Sequence, residues 1–146
     1  NTNLIMADVS DPAIQEAYED VQNDSTETNW LVLGMDNKKA VVQATGSDGY
    51  EGMAGQFDES QVQYAYLRVT SGDEESKRTK FVFISWVGPS VGVLKKAQVS
   101  VAKADVKGVI KNFAVEMMAE SVEDIKENDI MNRVKKAMGA DYSGNT

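Results

Sequence analysis

The hydrophobic pattern of the chain begins with one amphipathic helix. Asp11 suits the N-cap position, where a carboxylate accepts hydrogen bonds from free backbone N–H groups, and Pro12 suits the first helical position, where no N–H donor is needed. The apolar residues that follow recur at the spacing of one helix face, namely Ile14, Ala17, Tyr18 and Val21. We therefore predict a first helix that ends before the polar stretch at residues 22–29.

Four runs rich in β-branched and aromatic residues predict strands, at residues 30–35, 40–44, 63–70 and 81–87. The first two are separated by a short polar segment and predict a hairpin. The fourth is almost continuously apolar, which is typical of a strand buried on both faces of a sheet. The glycine-rich stretch at residues 46–55 predicts a flexible loop between the two pairs of strands.

The second half of the chain predicts helices. We expect a short helical turn at residues 94–97, a brief strand at 98–101 and then a long helix that includes Gly108. The last helix is predicted to begin at Ser121, with Asp124 at the spacing of a capping box, and to run to Gly139. The apolar stripe of the long helix is Val106, Val109, Ile110, Phe113, Ala114 and Met117.

The size and composition of the chain predict a single domain without catalytic chemistry. A chain of 146 residues has the length of one domain with a single hydrophobic core, and no repeat or linker divides it. It has no cysteine and no histidine, so it lacks disulfides, thiolate ligands and the commonest general base. The acidic pairs at residues 74–75 and 123–124 have no apolar setting or nucleophile beside them, so we predict no enzyme activity, no cofactor and no metal site.

We predict three segments from the ends of the chain. Residues 1–5 precede a natural-looking start at Met6 and are expected to be an expression remnant or a short tail, residues 6–142 are the domain, and residues 143–146 are a flexible C-terminal tail. The sequence contains no apolar segment long enough to span a membrane and no signal-peptide pattern, so we expect a cytoplasmic location.

The charge is distributed unevenly along the sequence. Residues 1–75 carry 3 basic and 15 acidic side chains, whereas residues 76–146 carry 12 basic and 8 acidic side chains. This grouping favours one basic face on an acidic protein, although solvated helix positions would also explain many single lysines. A pI near 4.5, with no aromatic residues among the basic clusters, argues against nucleic-acid binding. The clusters are Lys77, Arg78 and Lys80; Lys95, Lys96, Lys103, Lys107 and Lys111; and Arg133, Lys135 and Lys136.

Several short motifs together resemble the coactosin group of the actin-depolymerising factor homology (ADF-H) family. They occur in the same order along one domain-length chain, and the resemblance spans residues 11–142. The motifs are Ser-Lys-Arg-Thr-Lys-Phe at 76–81, Ile-Ser-Trp-Val-Gly at 84–88, Leu-Lys-Lys-Ala at 94–97, Asn-Phe-Ala at 112–114 and Lys-Lys-Ala at 135–137.

The resemblance implies an α/β (α+β) fold, in which a central mixed sheet of five or six strands is flanked by helices on both faces. It also implies that filamentous actin is the main partner, that monomeric actin binds weakly and that the protein is a monomer of the cytoplasmic actin cytoskeleton. The actin-binding residues that it nominates are Lys80 with Lys77 and Arg78, then Lys103, Lys107 and Lys111, and finally Arg133, Lys135 and Lys136.

The sequence also departs from the related cofilins. Residues 99–103 lack the Met and Tyr with which cofilins grip actin monomers, and the Met6-Ala7 start lacks their regulatory serine. We therefore expect a protein that binds the side of filaments without severing them and opposes capping of their barbed ends. The alternatives are a module that binds acidic phospholipids or phosphoinositides through the same lysines, and a module that binds monomeric actin.

Overall fold

A five-stranded mixed sheet carries the helices in the computed structural model, which describes residues 7–72 and 78–138. The spatial order of the strands is β2-β1-β3-β4-β5. The strands are β1 (Trp30–Asp36), β2 (Lys39–Gly46), β3 (Val62–Ser71), β4 (Arg78–Val87) and β5 (Val115–Ala119). The helices are α1 (Pro12–Gln22), α2 (Gly49–Ala54), α3 (Val93–Lys107) and α4 (Glu127–Ala137), with a 3₁₀ turn at Val122–Ile125 before α4.

The connections explain why the sheet is mixed. The pairs β1–β2, β1–β3 and β3–β4 are antiparallel, whereas β4 and β5 are parallel. Parallel neighbours need a crossover that returns the chain to the same end of the sheet, and α3 provides it. The fold predicted from the family resemblance is confirmed, with five strands and helices on both faces.

The predicted first helix and first hairpin are confirmed. The Asp11 carboxylate accepts a hydrogen bond from the Ala13 N–H at 3.0 Å, which caps α1. In the hairpin, Asp36 pairs with Lys39, and Asn37 has a positive φ of 58°. Asparagine tolerates this left-handed conformation better than most residues, so the polar linker suits a tight turn.

The two faces of the sheet have separate cores. On one side, which we name the α1/α3 face, Tyr18 of α1 and Val106 of α3 pack on Tyr64, Tyr66 and Phe83. On the other side, the α2/α4 face, the buried residues from the helices and the sheet are Met53, Ile130 and Val134, with Trp30, Val32, Ala65, Leu67, Val82, Ile84 and Trp86. Strands β3 and β4 are both buried on two sides. The continuous apolar character of residues 81–87 predicted this for β4, whereas it was not predicted for β3.

The predictions for residues 46–55 and 94–117 were partly wrong. The glycine-rich stretch is not entirely a loop, since it contains the short helix α2, whose Met53 is buried. Residues 98–101 alternate like a strand but lie inside α3, because Val99, Ala102 and Val106 are spaced to bury one face of a helix. The helix continues unbroken from residue 93 to residue 107.

The predicted long helix over residues 106–117 was also wrong in its bounds. Gly108 caps the C-terminus of α3 and is not inside the helix. Residues 115–119 form β5, in which Val115, Met117 and Ala119 are buried on one side. Hydrogen bonding along β4 therefore outweighs the local helical spacing of these apolar residues.

The final helix is divided into two pieces. Ser121 and Asp124 form the predicted capping box, but it opens the 3₁₀ turn. Lys126 has an extended ψ of 147°, and α4 begins after it. The predictions for residues 1–5 and 143–146, for Gly139 and for Lys77 lie outside the described residues. Among the described residues, no helix is long and apolar enough to cross a membrane.

Candidate functional site

The first set of predicted basic residues lies where β4 begins. Arg78 is the first residue of this strand, and Lys80 follows two positions later on the same side of the sheet. Val82 continues that alternation into the core of the α2/α4 face. The Lys80 side chain is half-buried, and strand pairing with Val69 of β3 holds its backbone in place. A lysine held in this way projects in a fixed direction.

The end of α4 lies beside the start of β4. The Arg78 guanidinium donates a hydrogen bond from Nη1 to the backbone carbonyl of Met138, at 3.1 Å. Ile130 and Val134 hold α4 against the sheet, so its exposed cations sit near the same end of the α2/α4 face. We name this group the strand–helix cluster; its described members are Arg78, Lys80, Arg133, Lys135 and Lys136.

The described cations of this cluster have no ion pair with a described carboxylate. The ion pairs found in residues 7–72 and 78–138 involve only Lys103, Lys107 and Lys126 as cations. Lys135 and Lys136 lie in the last turn of α4, where the helix dipole also favours positive charge. The structure therefore brings together the described members of the first and third groups of basic residues that the sequence nominated.

Lys103 and Lys107 are placed differently. They lie one turn apart on α3 and both approach Glu116 of β5, with nitrogen–oxygen distances of 3.8 Å and 2.8 Å. The Lys107 ammonium also lies 5.5 Å from the centre of the Phe113 ring, in cation–π geometry. One carboxylate thus offsets half of the positive charge of this pair.

Lys111 does not extend that row as predicted. It lies beyond the end of α3 in the segment that leads to β5, and its side chain is exposed. The Tyr18 hydroxyl oxygen accepts hydrogen bonds from the backbone N–H groups of Lys111 and Asn112, at 3.3 Å and 3.0 Å. The Tyr66 hydroxyl donates to the Asn112 carbonyl. Buried tyrosines therefore fix the backbone that carries Lys111.

Burial also controls the ionisation of the tyrosines on this face. Desolvation raises the pKa of Tyr64, whose hydroxyl donates to the Val99 carbonyl at 3.3 Å. Desolvation is likewise the main cause that raises the pKa of Tyr66, with Tyr18 nearby as a further cause. These groups stay protonated and serve as structural hydrogen-bond donors.

Sequence reasoning missed an exposed apolar pair at the start of α3. Val93 and Leu94 are 82% and 81% exposed, and the exposed Lys95 and Lys96 follow them directly. Large apolar side chains exposed next to each other commonly mark an interaction surface. The sequence does show two apolar residues directly before a pair of lysines. That pattern alone does not indicate whether the apolar side chains are buried or exposed.

The described residues contain no group of three or more His, Cys, Asp or Glu side chains arranged to hold a metal ion. What the structure presents is charged and apolar surface: the strand–helix cluster, the paired lysines beside β5 and the apolar start of α3. Such surfaces are suited to binding an acidic macromolecule.

Comparison with known proteins gives a consistent assignment. Residues 6–135 match the family of cofilin/tropomyosin-type actin-binding proteins. Coactosin from Dictyostelium discoideum is 51% identical over 142 residues, which cover 96% of this chain and 97% of that protein.

Two solved structures extend this result. The crystal structure of coactosin from Entamoeba histolytica matches with a TM-score of 0.85 and 38% identity, covering 92% of this chain and 99% of that one. The solution structure of mouse coactosin, described as an actin filament binding protein, matches with a TM-score of 0.75 and 31% identity over 96% of this chain and 98% of that one. This chain therefore belongs to the cofilin/tropomyosin-type family of actin-binding proteins and is of the coactosin type.

Proposed function

We propose that this protein binds the side of actin filaments through the strand–helix cluster, without severing them and without catalysing a reaction. The observation that carries the proposal is the cluster itself. Five described cations gather at one end of the α2/α4 face without a described carboxylate partner, on a chain with a net charge of −8. An acidic protein needs such a local reserve of positive charge to approach an acidic filament.

The filament, rather than the monomer, is proposed as the main partner for two reasons. Mouse coactosin, 31% identical to this chain, is an actin filament binding protein. The chain also lacks the Met and Tyr with which cofilins grip monomers, which supports a non-severing protein. By the same resemblance we propose that it opposes barbed-end capping and acts as a monomer in the cytoplasm, on the actin cytoskeleton.

Lys80 is the sharpest test of this proposal. In co-sedimentation with preformed filaments, we expect Lys80→Ala to weaken binding roughly tenfold or more, since a hydrogen bond to a charged group is worth about 1.5–3 kcal/mol. The matched control is Lys39→Ala, which removes a lysine from the edge strand β2, separated from β4 by β1 and β3. Binding of the native chain should also fall as salt rises from low to moderate concentration.

Three outcomes would contradict the proposal. The native chain would not pellet with filaments, or Lys39→Ala would weaken binding as much as Lys80→Ala, or filaments would shorten when the native protein is added. Circular dichroism spectra and melting curves of both variants would separate a lost contact from a lost fold. Flotation with phosphoinositide vesicles would identify the lipid-binding alternative if filament binding fails.

A monomer-binding role is favoured by one further observation, the exposed apolar pair at the start of α3. Such side chains gain free energy when a partner covers them, at about 25 cal/mol per Å² of apolar surface. We expect Leu94→Ser to weaken binding to monomeric actin several-fold, while leaving the melting temperature unchanged because Leu94 is already exposed. If Leu94→Ser affects neither monomer nor filament binding, the pair is not part of the actin-binding surface.

A further inference from the structure

A groove separate from the strand–helix cluster lies between α3 and the turn that joins β1 to β2. It encloses about 420 Å³. Four apolar residues line it, namely Met35, Val62, Val99 and Ala102. Small-molecule sites are typically of this size, largely apolar, with a few polar groups that orient the ligand.

The polar lining of the groove is cationic. Lys38 and Lys95 contribute charge from the turn and from α3, and no carboxylate is among the described residues that line it. This is unusual for a chain with 23 acidic and 15 basic residues. The groove therefore suits an anion, because its described lining carries two positive charges and no negative charge.

Amide side chains add hydrogen-bond donors to this lining. Asn37, Gln61 and Gln98 all line the groove. The oxygen of the Gln61 amide accepts a hydrogen bond from Gln43 Nε2 at 2.7 Å, so the Gln61 NH₂ group is the part left to donate. Amide and ammonium donors together would bind a carboxylate through charge-assisted hydrogen bonds.

We propose that this groove binds a fatty carboxylate, with the alkyl chain on the apolar residues and the carboxylate between Lys38 and Lys95. The groove follows α3 from Lys95 to Ala102, which is about 10 Å at the rise of an α-helix. That length suits an extended medium-length alkyl chain. The proposal does not depend on the function proposed above, since neither lysine belongs to the strand–helix cluster.

Chain length provides the first test. Calorimetric titration of the native chain with hexanoate, octanoate and decanoate, below their micelle concentrations, should show affinity rising about fourfold for each added methylene that is buried. Decanol, which has the same tail without the charge, should bind roughly tenfold more weakly than decanoate. Equal affinities across the series would overturn the proposal, because surface ion pairing alone does not depend on tail length.

Matched double variants provide the second test. Lys38→Gln with Lys95→Gln should weaken decanoate binding roughly tenfold, since two exposed ion pairs with the carboxylate are lost. The control is Lys39→Gln with Lys96→Gln, which removes two adjacent lysines that do not line this groove and should change binding less than twofold. Equal losses in both variants would mean that decanoate responds only to overall charge, and would overturn the proposal.

Location provides the third test. In amide NMR spectra, decanoate should shift resonances of residues 35–38, 61–62 and 95–102. Shifts confined to other parts of the protein would overturn the proposal. Shifts at these residues that occur only in a chain lacking residues 1–6 would also overturn the proposal, because residues 1–6 would then be the occupant of the groove. That segment joins the described chain at Ala7, whose N–H donates to Asp105 of α3 at 2.8 Å.

Discussion

The two faces of the sheet use their polar groups in opposite ways. On the α1/α3 face, Lys103 and Lys107 share Glu116, and the hydroxyls of Tyr18, Tyr64 and Tyr66 bond to the backbone. On the α2/α4 face, the cations of the strand–helix cluster have no described carboxylate partner. The number of lysines on a surface therefore does not measure the positive charge that is available to a binding partner.

The physical reason is local neutralisation. A carboxylate 2.8 Å from an ammonium group forms a dipole with it, and the field of a dipole falls off with distance faster than the field of a single charge. A partner must break or share such a pair before it gains from the lysine. Cations with no carboxylate partner among residues 7–72 and 78–138 carry no such cost from those residues, so we expect them to dominate binding.

The largest expected effect tests the tyrosines of the α1/α3 face. Because burial raises the pKa values of Tyr64 and Tyr66, the folded protein retains protons that the unfolded chain releases above pH 10. The free energy of unfolding should be unaffected below pH 10. Above it, stability should fall by about 1.4 kcal/mol per pH unit for each tyrosine, until the raised pKa is reached.

Urea unfolding at pH 8, 10 and 11 measures this dependence. Tyr66→Phe removes one of the two groups and should roughly halve the slope between pH 10 and 11, even though it also lowers stability at pH 8. A slope that is unchanged in this variant would show that Tyr66 does not hold its proton in the folded state.

The next effect separates the two sets of lysines. Changing Arg133, Lys135 and Lys136 together to Gln should weaken filament binding roughly tenfold, since exposed ion pairs contribute about 0.5 kcal/mol each. Changing Lys103 and Lys107 to Gln should weaken it only about twofold, because Glu116 already offsets part of their charge. Co-sedimentation at one salt concentration compares the two variants directly, and equal losses would contradict the distinction between the faces.

The smallest expected effect comes from removing the neutralising carboxylate. Glu116→Gln should tighten filament binding about twofold at low salt, because it frees Lys103 and Lys107 for an acidic partner. The measurement is co-sedimentation at low and high salt, where the gain should disappear as screening increases. A twofold gain that persists at high salt would point to a cause other than charge.

The limits of prediction are clearest between residues 93 and 119. Residues 98–101 alternate like a strand, yet they lie in the helix α3. Residues 106–117 have the apolar spacing of a helix, yet residues 115–117 lie in the strand β5. Both patterns come from apolar residues that face the same sheet. Pairing of Val115 with Val82 of β4 decides the outcome, and no local pattern records it.

The basic site shows the same division. Lys80 and its neighbours were nominated from clustering and from motifs, and the structure places Arg78 beside the end of α4. Lys111 was predicted to lie in a row of lysines along the long helix, but α3 ends at Lys107. The exposure of Val93 and Leu94 was not predicted at all, because spacing indicates which residues share a face but not whether anything covers that face.

The sequence by itself determined the first helix, the hairpin and the buried strand β4, because each follows from the pattern of neighbouring residues, and its short motifs indicated the family. Only the tertiary structure decided which lysines are paired, which apolar side chains are exposed and where a groove opens. These properties depend on distances between segments that are remote in the sequence, such as Arg78 and Met138, which are 60 positions apart. Local physics sets the elements, and packing between them sets the surface that a partner meets.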